Sequence, residues 1–272
     1  MVLPSGPESP DGLERGESMH TVIINADDFG FSRGINYGII DSYKYGILTS
    51  TTLMANMPGF EHAVSLAGEN PGLGVGVHLN LTCGYPLLKG HRTIVDPDTG
   101  RFKNHRFYET PDFQVDPEEV YREWDAQIRK VLEAGIQPTH LDSHHHTHSY
   151  GTNREVAIEL ARKYRLPLRN NFQGIPDDIV KTERFEPNFD LAATMPELLA
   201  KPYLHNLLAD FETFASIELM CHPGYLDQVV IDESSLRENR TYMANFLMHS
   251  EFSRELKSNK KIRLGTYRDL QN

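Results

Sequence analysis

Short apolar runs rich in β-branched residues alternate with amphipathic segments along most of this chain, and that alternation leaves few folds open to it. Thr21–Asn25 (TVIIN) has no polar break until its end and reads as a strand buried on both faces. Ser32–Tyr45 follows with Ile35, Ile39, Ile40 and Tyr43 at helical spacing and stops at Gly46. Ile47–Met54 reads as a second strand, Glu61–Glu69 as a short helix ended before Pro71, and Leu73–Leu81 (LGVGVHLNL) as a third strand whose glycines imply close packing against another backbone. Asp116-Pro117-Glu118-Glu119 opens a helix to Ala134 with a cap, a first-turn proline and acidic residues at the positive end of the dipole. Thr139–Ser143, Leu166–Arg169, Ser216–Cys221 and Ile262–Thr266 read as further strands, and Asn153–Tyr164 as a helix. Strands separated by helices predict an α/β fold, a parallel sheet or barrel with helices outside, in a single domain. The 272 residues match the roughly 250 typical of one such barrel.

Two stretches break the rhythm. Residues 82–117 are rich in Gly, Pro, Asp and aromatics without a period and read as a long excursion, a lid or a substrate loop; residues 170–200 are irregular and read as a second candidate specificity region. Residues 1–18 are polar, rich in Pro, Gly and Glu, and contain no apolar segment, so they read as a leader or upstream extension ahead of a domain spanning 19–272, with Met19 as a candidate initiator. A net charge of −11 disfavours nucleic acid and anionic membrane as partners but is indifferent to a neutral sugar. Cys83 and Cys221 fit no metal or redox spacing and read as reduced thiols of a cytoplasmic protein. A homodimer is the default assembly.

Polar residues of one chemical kind follow the strands. Asp27 and Asp28 come after the first and His78 late in the third; His140, Asp142, His144, His145, His146 and His148 sit in or after the fourth, and His222 follows Cys221. Strand carboxyl ends share one face in parallel architectures, so four distant segments deliver carboxylates and imidazoles to one rim. Each has a plainer reading: an Asp pair can cap the next helix, a lone His can be structural, and His222 before Pro223-Gly224 can cap a turn. Asp27 and Asp28 can face the same way only where the strand bends into its loop. An extended strand would put His140, Asp142 and His144 on one face. Taken together, chance is a poor account of the set.

The motifs Asn25-Ala26-Asp27-Asp28-Phe29-Gly30, Gly76-Val77-His78-Leu79, Thr139-His140-Leu141-Asp142-Ser143-His144-His145-His146 and Cys221-His222-Pro223 resemble the YdjC-like carbohydrate deacetylase family, which includes the chitooligosaccharide deacetylases. The resemblance implies a distorted (β/α) TIM-like barrel and a metal-dependent hydrolase that removes the N-acetyl group of a sugar. It implies Asp28, His78 and His144 as metal ligands, Asp27 as general base and His222 as the acid for the leaving amine. His140 or Asp142 would orient a ligand imidazole, while His145, His146 and His148 would line the rim or meet the sugar. The family pattern carries Arg-x-x-Glu in its C-terminal part, whereas here Arg240 is followed by Met243. The resemblance favours Mg2+; two imidazoles and a carboxylate suit Zn2+. Three rival readings remain at this point. His140-Leu141-Asp142 has the spacing of non-haem iron oxygenases, which use a double-stranded β barrel; Asp27 with a second carboxylate would serve a metal-free glycosidase; and a sugar-binding protein would keep the metal as a staple.

Overall fold

The computed structural model describes residues 19–270. The expectation for residues 1–18 lies outside them. In chain order the elements are β1 (His20–Phe29), α1 (Arg33–Tyr45), β2 (Ser50–Leu53), α2 (Phe60–Glu69), β3 (Gly74–Leu79), α3 (His105–Glu109), α4 (Pro117–Glu133), β4 (Leu141–Ser143), α5 (Asn153–Tyr164), β5 (Arg184–Glu186), α6 (Glu197–Phe211), β6 (Ser216–Cys221), α7 (Gln228–Glu233), α8 (Glu238–His249), α9 (Glu251–Ser258) and β7 (Ile262–Leu264). All the strand pairs are parallel, in the order β4-β3-β2-β1-β6-β5. Strand β1 is long enough to pair with β7 through His20–Val22 and with β2 further along. The sheet curls into an incomplete barrel with the helices around it. Among the described residues no helix is long and apolar enough to cross a membrane.

The predicted strand at 166–169 shrinks to one parallel bridge, Leu141 to Leu168. Pro167 has no N–H to give a ladder, and only its carbonyl is used, by the Leu141 amide. Leu168 also donates to the Val180 carbonyl, so residues 167–169 and 180–183 fill the gap where β4 and β5 would have closed the barrel. The stretch 170–200, read as irregular, in fact supplies β5 and the start of α6. Helices α6, α7, α8 and α9 have no counterpart in the sequence reading. Helix α6 contains Pro202 and buries only Ala200, Leu207 and Phe211, too few to mark a face.

The core is aliphatic and aromatic, with Trp124, Phe29, Phe189 and Phe211 fully buried. Gly76 illustrates the packing that the glycines of β3 implied. A Cβ there would stand 2.6 Å from the His140 ring and 2.8 Å from the His140 carbonyl oxygen. The carbonyl is backbone and cannot step aside, so Gly76→Ala should cost about 1–3 kcal/mol through overpacking. Urea unfolding of that variant checks this; an unchanged midpoint would contradict it.

Candidate metal centre and active site

The Asp pair owes its geometry to a bulge. Between Ala26, opposite Thr51, and Phe29, opposite Leu53, β1 carries one more residue than β2. Asp28 takes up the irregularity in the left-handed region, at φ 71°, a conformation that Asp tolerates better than most residues. Both carboxylates thereby face the cleft, as a bend at this point requires. Neither caps α1: Ser32 does, its Oγ accepting from the Ile35 amide.

Asp28, His78 and His144 converge. One ligand atom from each lies within 4.8 Å of the other two, and all three residues are buried. Asp28 Oδ1 is 2.9 Å from His144 Nδ1 and 3.4 Å from His78 Nε2, yet neither Asp28 Oδ1 nor His78 Nε2 completes a hydrogen bond. Buried polar atoms left without partners are costly, and a set of one carboxylate oxygen and two imidazole nitrogens suits a divalent cation. The other Asp28 oxygen accepts from Arg240 Nη2 at 2.7 Å, which fixes the carboxylate's rotation. Burial alone would raise the Asp28 carboxyl; His144 and Arg240 hold it well below the usual range, so it is ionised. His78 is oriented from behind by Asp142, whose Oδ1 sits 2.7 Å from His78 Nδ1, and Thr52 donates to the other Asp142 oxygen. That Nδ1 contact leaves Nε2 as the ligand atom. Burial opposes the His78 imidazolium, but Asp142 and Asp27 push it up to about 10. A cation would therefore displace a proton there. A second group, Asp27, His78 and Asp142, also gathers, but the Arg169 guanidinium already neutralises its carboxylates.

Asp27 is gripped at both oxygens by Arg169, at 2.6 and 2.9 Å, and Asn25 Nδ2 donates to Oδ1. Burial would raise its pKa, but Arg169 outweighs this and holds the carboxyl far below the usual range. Arg169 is fully buried and also meets Asp142 and Glu218, both within 2.9 Å. His222 Nε2 lies 4.0 Å from Asp27 Oδ2, and its Nδ1 is 2.6 Å from Asp190 Oδ2. The Asp190 carboxylate, with Asp28 and Asp27, raises the His222 pKa against its burial. Asp27, Asp28, His144 and His222 all open onto a cleft of about 540 Å³ at the carboxyl ends of the strands.

The remaining histidines divide. His145 and His146 line the cleft after a turn in which both adopt left-handed backbone conformations, φ 51° and 54°. Burial and the neighbouring His144 depress His145 to about 2; burial and Arg169 depress His146 to about 3. Both are neutral. Thr82 Oγ1 is 2.9 Å from His145 Nδ1. His140 is different: it lies fully buried in the barrel interior, stacked on Tyr267 at 3.9 Å, with Nδ1 beside Thr139. Its hydrogen bond is to Thr139, not to His78 or His144, whereas Asp142 meets His78 Nδ1. The shared face expected of His140, Asp142 and His144 fails because β4 ends at Ser143 and His144 already belongs to the turn. His148, expected at the rim, is buried against Ser143.

Arg169, Asp190, Arg240 and Glu218 complete the site, and the sequence reading gave none of them a role. One signal for Arg169 was available: Glu218 stands inside the apolar strand SIELMC, and a carboxylate there demands a buried cation. The departure at Arg240 is also resolved. Its guanidinium holds Asp28, while Met243, in the place of the pattern's Glu, packs in the core.

Residues 21–258 match the sequence profile of the YdjC-like proteins. A carbohydrate deacetylase of Halalkalibacterium halodurans is 40% identical over 221 residues, which is 80% of this chain and 91% of that protein. A carbohydrate deacetylase of Brevibacillus brevis is 38% identical over 255 residues, covering 92% of this chain and 99% of its own. A crystal structure from Enterococcus faecalis V583, provisionally described as a cellobiose-phosphate cleavage protein, superposes with a TM-score of 0.83 at 32% identity over 93% of this chain and 99% of its own. This chain belongs to the YdjC-like family.

Proposed function

We propose that the protein is a carbohydrate deacetylase, a metal-dependent hydrolase that releases acetate from an N-acetylated sugar. The observation that carries this is the convergence of Asp28 Oδ1, His78 Nε2 and His144 Nδ1 beside a cleft that Asp28, His144, Asp27 and His222 line. The similarity to carbohydrate deacetylases over nearly the whole chain supports it. Asp28, His78 and His144 would hold a divalent cation, Mg2+ or Zn2+, which when bound polarises the acetamide carbonyl and acidifies water. Asp27, kept ionised by Arg169, accepts the proton of the attacking water. His222 delivers its proton to the amide nitrogen as the C–N bond breaks, so acetate and a sugar amine leave. Asp190 at 2.6 Å keeps the His222 imidazole aimed and favours its protonated form.

The test is acetate release from the disaccharide of N-acetylglucosamine. Prolonged chelation should abolish it, and Mg2+ or Zn2+ should restore it. Turnover that survives a chelator, or glycosidic cleavage without acetate, would overturn the reading. The role of His222 sets the sign of one pH effect. An acid must be protonated to act, and the His222 pKa is raised, so the alkaline limb of kcat/KM lies above the ordinary histidine range. Asp190→Asn removes the largest raising influence and should move that limb to lower pH. An unmoved limb would assign the acid to another group.

A further inference from the structure

The excursion between β3 and α4 is fixed to α4 through Glu119 and Glu123, and its farther part packs back on itself, with Ile94 and Phe102 buried and the Phe102 amide donating to the Gly84 carbonyl. At its root, Glu119 accepts from the Arg92 and Thr93 amides and the Thr93 hydroxyl, and Glu123 accepts from the Leu87 and Leu88 amides. Its tip is a tight loop: Val95 bridges Phe102, and Asp96 accepts from Asp98 and Thr99. The tip presents Arg101, which forms an ion pair with Glu233 at the end of α7 and lies over the Tyr85 ring, 5.2 Å from its centre. Glu233 lines the cleft, and Arg101 reaches it from the excursion that also contributes to the lining. Asn104, His105 and Glu109 of the excursion line the cleft, and so do Glu233 to Leu236 at and after the end of α7. The same cleft is lined by Arg240, the residue that grips Asp28, so the tie borders the cleft that holds the chemistry.

We propose that the Arg101–Glu233 pair is a strap across the cleft that sets the length of sugar chain the enzyme accepts. This rests on the deacetylase reading above. A short N-acetylated oligosaccharide fits within the strapped cleft, whereas a longer one running out past this end must break the pair. The side chains are 37% and 38% exposed, and ion pairs of that exposure are weak enough for a substrate to compete with.

The experiment compares kcat/KM for N-acetylglucosamine oligomers of two and five units in the wild type, Arg101→Ala and Arg101→Lys. The wild type should prefer the disaccharide. Arg101→Ala should raise the ratio of pentasaccharide to disaccharide turnover about fivefold, the equivalent of one exposed pair. Arg101→Lys, which keeps the charge, should return the ratio toward the wild type. Hydrogen exchange across residues 95–103 should rise in Arg101→Ala alone. Equal wild-type turnover of both lengths would overturn the proposal, and so would faster exchange with an unchanged ratio, which makes the pair merely structural. Should no oligomer release acetate, the deacetylase reading falls, and the strap is decided by calorimetric binding of the same two oligomers. A length ratio that Arg101→Ala shifts still supports it, and binding that is absent or indifferent to length overturns it.

Discussion

Asp27→Asn is expected to lower acetate release by about 10²–10⁴-fold, the usual contribution of a general base, while the protein still binds its metal. The amide is nearly isosteric, so the neighbouring ligand Asp28 keeps its bulged backbone. Arg169 loses one carboxylate but retains Asp142 and Glu218, so its charge stays compensated. The alternative, that Asp27 only caps α1, has no support in the geometry, because Ser32 makes that bond. Asp28→Asn should separate from it cleanly: metal affinity falls first, and excess cation recovers part of the turnover. Acetate release and bound metal measured side by side for the two variants decide the matter. Near-normal turnover in Asp27→Asn would move the base elsewhere.

The second large effect is on stability. Arg169→Met should destabilise the protein by roughly 3–5 kcal/mol at neutral pH, because it leaves Asp27, Asp142 and Glu218 buried without their cation. The sign of its pH dependence follows from Asp27. In the wild type its carboxyl is depressed on folding, so this group's contribution is present above the ordinary aspartate range and is lost as pH falls through its folded value. Without Arg169, burial raises the same carboxyl, and the folded chain takes up a proton more readily than the unfolded one. The gap between variant and wild type should therefore narrow as pH falls from 7 toward the ordinary carboxylate range, about 4. Urea unfolding of both proteins at several pH values gives the comparison. A gap that is constant with pH would mean that lost packing, not uncompensated charge, is the cause. Activity should fall as well, since Arg169 is what grips Asp27.

The alternation of β-branched runs with helices determined a parallel α/β fold, because buried parallel strands need apolar residues on both faces and crossover helices between them. That fold in turn placed the residues after the strands on one rim, which is why Asp27, Asp28, His78, His144 and His222 could be read together before any coordinates. The short strand β5 and the helix α6 were not legible in this way: β5 has three residues, and α6 buries too few side chains to show a period. Tertiary structure alone decided which histidines matter. His140 and His144 stand four residues apart in one run, yet one stacks on Tyr267 inside the barrel and the other turns to Asp28, because the strand ends between them. It also decided the partners that tune the site. Arg169 meets Asp27 across 142 residues, Arg240 meets Asp28 across 212, and Asp190 meets His222 across 32. Local patterning reports which face of an element is buried. It carries no record of which charge, brought from a distant segment, will neutralise another in the low-dielectric interior, and that pairing is what makes these carboxylates and imidazoles a site.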